Sequence, residues 1–248
     1  MGHSLGGALA NLNATTLRTA GYAVKLYTIG APRVGLFPFA QDASKILRPQ
    51  NIYRVSNPCD PVAMVPVFPF IHASDAQSEY LLRTNDKIAV EQHFLSGGYG
   101  AMPQLQAWSD LTPPPPQRTA TAKDIANGLI VIGGGLLFSG TALQILKRDV
   151  IELLKLMGIF AASLASTVWG TSVTAVDLLA EALLKAQQFG AQVAEQLRSV
   201  LRLLLGFLGR AAIEVQEGSL SFIRWVLDTF VREMNSQAQR AVNLARQQ

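Results

Sequence analysis

Proline divides this chain of 248 residues into two parts. All 12 prolines lie at or before Pro116, and the last four follow one another from Pro113 to Pro116. Consecutive prolines cannot donate backbone hydrogen bonds, and they stiffen the chain into an extended polyproline segment. The sequence therefore predicts a linker at residues 112–122, between an N-terminal module at residues 1–111 and a C-terminal module at residues 123–248. No proline interrupts a helix in the second module.

Composition excludes several kinds of protein. The chain is 49% hydrophobic and only 15% charged, so it is not disordered as a whole. The single cysteine, Cys59, excludes an internal disulfide and is most simply a buried thiol, and three histidines argue against a multi-histidine metal centre. The net charge of +4 is small and comes without a basic run, so we expect no nucleic-acid partner. We also expect no metal and no organic cofactor.

Helical and strand patterns alternate in the N-terminal module. Apolar residues at helical spacing predict a helix that begins at Leu5 and ends at Gly21. Alternating helices and strands are typical of a parallel sheet with helices packed on it, an α/β fold in which chemistry lies beyond the carboxyl ends of the strands. The residues that share a face of the first helix are Leu5, Ala8, Leu9 and Leu12. The other predicted elements are strands at 24–29 and 51–56 and a helix at 39–48.

The sharpest local motif is Gly2-His3-Ser4-Leu5-Gly6, which fits the pattern G-x-S-x-G. In this pattern a serine lies on a tight turn between a strand and a helix and projects its hydroxyl from the edge of the sheet. The flanking glycines lack the Cβ atoms that would clash in the turn, and Gly7 and Ala8 allow close packing of the helix on the sheet. The backbone N–H of Leu5, at the positive end of the helix, is a natural donor to an oxyanion. The motif indicates a nucleophilic serine, and the alternative is a plain glycine turn.

A nucleophilic serine needs a base and an acid that orients the base. Asp60 directly follows a predicted strand and His93 lies 33 residues further on, which gives the order serine, aspartate, histidine found in α/β-hydrolases. Asp60 is otherwise a turn-forming residue. His72 is the competing base, but it lies only 12 residues after Asp60, in a stretch rich in proline and phenylalanine that more naturally packs under the site. Asp42 and Asp75 are weaker candidates for the acid because neither clearly follows a strand.

Four blocks of the N-terminal module resemble class 3 (fungal-type) triacylglycerol lipases. They occur in a consistent order over roughly residues 1–108. The motif around Ser4, continued by Gly7-Ala8-Leu9-Ala10, is similar to the nucleophile elbow of that family. The other blocks are Tyr27–Gly35, similar to a strand and loop ending in G-x-P-R-V-G; Tyr53–Val55 with Asp60-Pro61-Val62, similar to the strand and catalytic acid; and Pro66–His72, similar to a proline-rich stretch ending in a non-catalytic histidine.

The resemblance implies specific roles. Ser4 would be the nucleophile, His93 the base and Asp60 the residue that orients the base, with Tyr99 in a trailing aromatic position. The reaction would be hydrolysis of acylglycerol or phospholipid esters through an acyl-enzyme, with the N–H of Leu5 supporting the oxyanion.

The position of the elbow departs from the family, because Ser4 is the fourth residue. Family members place several strands, a lid and a second oxyanion donor upstream of the elbow. We therefore expect a partial α/β-hydrolase sheet without its N-terminal strands, and we hypothesise that the chain is a fragment or begins at an internal methionine. An immediate in-frame stop codon upstream of Met1 would count against this. The first 20 residues show no basic start followed by an apolar run, so no signal peptide is predicted.

The C-terminal module is expected to be all-helical, and two stretches in it carry no charge. These stretches, at residues 125–146 and 156–176, are each long enough to cross about 30 Å of hydrocarbon. Small residues recur at every fourth position of the second stretch, which allows close helix contact in lipid. A helical hairpin in a membrane is one interpretation, and a buried hairpin in a soluble bundle is the other.

Apolar stripes at helical spacing follow from Leu178 onward. Such amphipathic helices pack against other helices or, where arginine and aromatic residues flank them, lie on a membrane surface; we favour packing or self-association. The polar tail at residues 235–248 is expected to fray or stay solvated. The first stripe comprises Val193, Leu197, Val200, Leu201, Leu204 and Leu208, and the second Ile223, Leu227, Phe230 and Met234.

The sequence as a whole predicts a serine lipase or esterase whose helical module holds the catalytic module near its lipid substrate. The expected localisation is membrane-associated or unknown, and the helical stripes also allow a homo-oligomer. One alternative is a catalytically inactive lipase remnant that acts through a membrane-active or oligomerising helical module. Another is a toxin-like effector, in which the lipase attacks a membrane that the helices engage.

Overall fold

A computed structural model describes residues 1–67, 70–73, 79–82, 88–100, 102, 146, 149–150, 153, 175–210, 213, 215 and 219–245. The chain divides into two compact units. The first consists of Met1–Pro115 together with Met234–Gln248, and the second of Pro116–Glu233. The module boundaries at residues 111 and 122 stay a prediction.

The first unit contains a parallel sheet. Its strands are β1 (Gly2–His3), β2 (Leu26–Ile29), β4 (Ile52–Ser56) and β6 (Glu79–Leu81), while β3 (Gly35–Leu36) and β5 (Phe70–Ile71) form a separate antiparallel pair. The order in the sheet is β1, β2, β4, β6, and all three neighbouring pairs are parallel. The carboxyl ends of the four strands therefore lie at one edge. The predicted α/β fold with a parallel sheet is confirmed.

Helices α1 (Leu5–Thr19) and α2 (Phe37–Leu47) belong to the same unit. Ala14 of α1 and Leu47 of α2 form a core cluster with Leu26 of β2 and Ile52 of β4, and each of the four is at most 5% exposed. A fully buried leucine or isoleucine contributes about 1.5–3 kcal/mol through burial, so this cluster is a main source of stability for the pairing of helices and sheet.

Small or short side chains form the buried face of α1, and of the four residues predicted to share a face only Ala8 is buried there. A Cβ on Gly7 would lie 2.6 Å from the Cβ of Ala31, so the helix approaches the neighbouring chain more closely than a larger residue would allow. This confirms the close packing predicted for Gly7 and Ala8, but it leaves the leucines on the outside. The buried residues are Gly7, Ala8, Asn11 and Ala14. The exposed leucines are Leu5, Leu9 and Leu12, at 55%, 52% and 41%.

From residue 175 onward the structure describes the helices α3 (Ala175–Ala186), α4 (Ala191–Phe207) and α5 (Leu220–Ala245). Both predicted stripes contain fully buried residues, since Val200 in α4 and Ile223 in α5 have no exposed surface. Phe207 and Phe230 bring their rings to 6.0 Å, and Arg224 forms an ion pair with Asp177. The expected packing of the stripes is confirmed.

The end of α5, from Met234 onward, is part of the first unit and packs inside it. Ala238 and Ala241 are 5% and 0% exposed and form a cluster with Val62, surrounded by partly buried valines. The prediction of a frayed or solvated tail at residues 235–248 is therefore wrong as far as Ala245. The two alanines and Val242 lie at helical spacing. Such a narrow apolar strip gives only a weak signal among the polar residues around it. The surrounding valines are Val65, Val90 and Val242.

The membrane hairpin predicted at residues 125–146 and 156–176 lies outside the described residues, apart from Leu146 and residues 175–176. The same holds for the predicted linker at residues 112–122. Within the described ranges, no helix combines the length and the apolar character that crossing a membrane requires.

Candidate active site

Ser4 lies in a strained turn between β1 and α1. Its backbone has φ 54° and ψ −133°, in the positive-φ region that residues other than glycine rarely adopt. The N–H of Ser4 donates to the carbonyl of Ile29 at 3.0 Å, which ties the turn to the end of β2. The turn places the Ser4 side chain at the carboxyl edge of the sheet.

The glycines around Ser4 differ in how much they are needed. A Cβ on Gly2 would overlap the carbonyl of Gly6, and a Cβ on Gly7 would meet the carbonyl oxygen of Gly2 at 2.9 Å. A Cβ on Gly6 would have no heavy atom within 4 Å. The expectation that glycines on both sides of Ser4 prevent a clash thus holds for Gly2 and not for Gly6.

The three residues predicted for catalysis form one hydrogen-bonded chain. His93 Nε2 is 2.8 Å from Ser4 Oγ, and His93 Nδ1 is 3.0 Å from both carboxylate oxygens of Asp60. A carboxylate accepts, so Nδ1 carries a proton and donates to Asp60, and Nε2 of the neutral ring accepts from the serine hydroxyl. His93 and Asp60 have no exposed surface, whereas Ser4 is partly exposed. The arrangement can take a proton from Ser4 as its oxygen attacks a substrate.

Asp60 lies in the loop after β4, and Asn57 shapes that loop. Asn57 Oδ1 accepts from the N–H of Cys59 at 2.8 Å, and the carbonyl of Asn57 accepts from the N–H of Asp60 at 3.0 Å. The side-chain nitrogen Nδ2 of Asn57 donates to Gln92 Oε1 at 2.8 Å and to the carbonyl of Gly98 at 3.2 Å. Asn57 therefore joins the loop that carries Asp60 to the segment that carries His93.

Tyr99 and Val62 supply further donors to the Asp60 carboxylate. The Tyr99 hydroxyl donates to Asp60 Oδ2 at 2.6 Å, and the N–H of Val62 donates to Oδ1 at 2.8 Å. Sequence reasoning placed Tyr99 in a trailing aromatic position but gave it no role. The burial of Tyr99, followed by the nearby charge of Asp60, raises the pKa of its hydroxyl well above 10.

His3 is a neighbour of the site that sequence reasoning missed. Its Nε2 donates to the backbone carbonyl of His93 at 3.0 Å, and the two imidazole rings stack with centroids 4.8 Å apart. Burial lowers the pKa of His3 from 6.5, and the nearby His93 adds to the lowering, although the hydrogen bond and Asp60 oppose it. Its position directly before Ser4 in the motif is the signal that would have pointed to it.

The competing candidates lie elsewhere or are engaged elsewhere. His72 Nε2 donates to the carbonyl of Ala63 at 3.0 Å, and burial, then Arg54 and Arg33, lower its pKa well below 6.5. Asp42 is exposed beside Lys45, and Asp75 lies outside the described residues. Cys59 is a buried thiol outside any disulfide, as the sequence predicts.

Leu5 occupies the first position of α1, so its backbone N–H is one of the first N–H groups of the helix, which have no acceptor within the helix. This places a donor next to Ser4 at the positive end of the helix. Among the residues that the structure describes, no group of three or more His, Cys, Asp or Glu side chains is arranged to hold a metal ion.

Comparisons with known proteins give one family. Residues 1–70 match the family Lipase (class 3). The secreted mono- and diacylglycerol lipase 1 of Fusarium solani is 44% identical over 75 residues, which are 29% of this chain and 22% of that protein. The secreted mono- and diacylglycerol lipase A of Penicillium cyclopium is 42% identical over 77 residues, or 30% of this chain and 24% of that protein.

A plant protein is also similar: phospholipase A1-II 1 of Oryza sativa subsp. indica is 39% identical over 89 residues, which are 34% of this chain and 21% of that protein. No solved structure matches the chain at a significant level. The chain thus spans less than a quarter of the length of each of these relatives. The family match includes Ser4 and Asp60 and ends before His93. The N-terminal part of the chain, from residue 1 to residue 70, is therefore similar to the class 3 lipases.

Proposed function

We propose that the chain is a serine ester hydrolase of the lipase type, with an α/β-hydrolase sheet as its framework and Ser4, His93 and Asp60 as its catalytic residues. The observation that carries the proposal is the unbroken chain of hydrogen bonds from Ser4 Oγ through both nitrogens of His93 to the Asp60 carboxylate. The strained backbone of Ser4 at the start of α1 supports it, because such turns expose a nucleophile beside a helix N-terminus.

The first half of the reaction forms an acyl-enzyme. Ser4 Oγ attacks the ester carbonyl as His93 Nε2 takes its proton, and a bond forms between Oγ and the carbonyl carbon. The N–H of Leu5 donates to the oxyanion that develops. The imidazolium then gives its proton to the leaving alcohol oxygen as the bond between carbon and that oxygen breaks. Asp60 keeps the proton on Nδ1 and stabilises the imidazolium without taking the proton itself.

The second half returns the enzyme to its starting state. Water attacks the acyl carbon while His93 Nε2 takes one of its protons, and the proton then goes to Ser4 Oγ as the acyl bond breaks. A carboxylic acid leaves. No redox partner or external cofactor is needed for this balance, since water and the ester are the only reactants.

Acylglycerols and phospholipids are the proposed substrates. The names of the relatives support this class, since two are mono- and diacylglycerol lipases and one is a phospholipase A1. Two of these relatives are named as secreted proteins.

Hydrolysis by the full chain tests the proposal. Fatty-acid release is measured from emulsified diacylglycerol, from phospholipid vesicles and from a soluble short-chain ester. Ser4→Ala is expected to lower kcat by about 10³-fold or more, because it removes the atom that carries the acyl group. Ser44→Ala is the matched control, since the Ser44 hydroxyl donates to the Ala40 carbonyl within α2. Folded wild-type protein without esterase activity, or equal activity in Ser4→Ala, would overturn the proposal and favour an inactive remnant.

We further propose that the chain associates with membranes through residues 125–146 and 156–176. The support is their sequence, since each stretch carries no charge over a length that matches a bilayer. Flotation with phosphatidylcholine vesicles tests this. The full chain is expected to float with the vesicles, and full recovery in the aqueous fraction would contradict the proposal.

A further inference from the structure

The hydroxyl of Tyr99 lies between the acid of the site and the backbone of the loop that carries it. It is 2.6 Å from Asp60 Oδ2 and 3.1 Å from the backbone nitrogen of Asn57. A backbone N–H can only donate, so the hydroxyl accepts from Asn57. Its single proton therefore goes to the carboxylate, and the direction of both hydrogen bonds follows from the chemistry of the groups.

Tyr99 is held in place by its surroundings. Its side chain is 1% exposed and packs in a cluster with Val55 and Leu82. Because burial and the Asp60 charge raise its pKa well above 10, the phenol stays protonated over the pH range in which a histidine base works. It is thus a permanent donor to the acid of the site.

The backbone at Gly30 makes room for this contact. Gly30 has φ +55°, and a Cβ built there would lie 2.8 Å from both Asp60 Oδ2 and the Tyr99 hydroxyl. A residue with a side chain would push the two groups apart. Position 30 therefore suits glycine for two reasons: its φ is positive, and a side chain there would disturb the contact between Tyr99 and Asp60.

The donors around Asp60 are balanced. Val62 N–H serves Oδ1 at 2.8 Å and Tyr99 serves Oδ2 at 2.6 Å, while His93 Nδ1 lies 3.0 Å from each oxygen. One donor on each oxygen fixes the rotation of the carboxylate, and both donors spread its charge. Loss of the Tyr99 hydroxyl would remove this donor from Oδ2, so the carboxylate could rotate more easily and Oδ2 would carry more negative charge.

We infer that Tyr99 is a positioning residue for the reaction: its hydroxyl sets the orientation and the charge of the Asp60 carboxylate and, through it, the basicity of His93. The inference rests on the proposed function of the Ser4 site. A carboxylate without this donor stabilises the imidazolium more strongly, so His93 holds its proton to higher pH. It is also less well oriented, so the proton transfer from Ser4 is slower.

Tyr99→Phe in the full chain gives the kinetic test. We expect kcat to fall about tenfold, as for loss of one hydrogen bond to a charged group, with KM within about twofold. The acid limb of the pH–rate profile should move to higher pH, which a purely structural role would not cause. Tyr80→Phe is the matched control, since Tyr80 packs against the same cluster and stacks on Tyr53. Unchanged kcat and pH profile in Tyr99→Phe overturn the inference.

A second measurement separates this inference from the proposed function. The titration of the His93 ring is followed by NMR in the wild type, in Tyr99→Phe and in protein with 3-fluorotyrosine at position 99, which keeps the hydroxyl and makes it a stronger donor. The midpoint should rise in Tyr99→Phe and fall with 3-fluorotyrosine. The fluorinated variant also serves if Tyr99→Phe fails to fold. Wild-type protein that cleaves no ester defeats the proposed function, whereas a midpoint that moves in neither variant defeats the inference.

Discussion

Gly2 lies where a side chain has no room. A Cβ there would overlap the carbonyl of Gly6, whereas a Cβ on Gly6 would meet open space. Gly2→Ala should therefore lower the free energy of unfolding by about 2 kcal/mol, since the backbone must shift to admit the methyl group. Gly6→Ala, at the second position of α1, should change it by less than about 1 kcal/mol and in the stabilising direction. Urea unfolding of both variants checks this, and equal effects would show that the turn is not as close as described.

His72 makes stability depend on pH. Its pKa in the folded protein is lowered well below 6.5, first by burial and then by Arg54 and Arg33. The unfolded chain binds a proton near pH 6.5, while the folded protein resists binding it until lower pH. The folded state thus has its full stability above pH 6.5 and loses it as pH falls below that value, by at most about 1.4 kcal/mol per pH unit.

Removing the histidine tests this directly. His72→Gln keeps a donor near the position of Nε2 for the Ala63 carbonyl but does not titrate. The free energy of unfolding is measured by urea denaturation at pH 7.5 and pH 5.5. The wild type should lose more stability between these values than His72→Gln does. Equal losses would mean that His72 is not held neutral in the fold.

At the scale of elements, the end of α5 contributes to the first unit. Ala241 has no exposed surface and packs with Val62, which lies two residues from Asp60. Ala241→Asp would bury an unpaired charge and should lower the free energy of unfolding by about 3 kcal/mol or more. Ser236→Asp, on an exposed position of the same helix, should have an effect within about 0.5 kcal/mol.

Circular dichroism during urea unfolding gives both values. Because the Val62 N–H donates to Asp60, Ala241→Asp should also slow ester hydrolysis below the temperature at which it unfolds. Equal stability of the two variants would contradict the packing of α5 on this loop.

The elements of the N-terminal part were predictable because each has a local signal. Alternation of strand and helix patterns gave the α/β class, and short turns gave strand ends near Ile29 and Ser56. The buried face of α1 was not predictable from its leucines. It depends on how closely Gly7 approaches Ala31, which is a contact between residues far apart in the sequence. The packing of the end of α5 was not predictable for the same reason. Ala238 and Ala241 are buried because they contact Val62, which is far away in the sequence.

At the scale of the molecule, the sequence predicted which three side chains meet but not what surrounds them. The order of Ser4, Asp60 and His93 carried the prediction, and the structure brings them into hydrogen-bond distance over 89 residues of separation. Donors such as the Tyr99 hydroxyl and the His3 ring have no spacing rule, because their roles follow from distant segments that meet, Tyr99 reaching Asp60 and His3 reaching the backbone of His93.

Reaction of the full chain with a fluorophosphonate tests the central claim most directly. An activated serine displaces fluoride and keeps the phosphonate, so the mass of one peptide rises by the mass of the adduct. The account predicts that the adduct lies on the peptide that contains Ser4 and that His93→Ala suppresses its formation. Folded protein that acquires no adduct, or acquires it on another serine, would contradict the account.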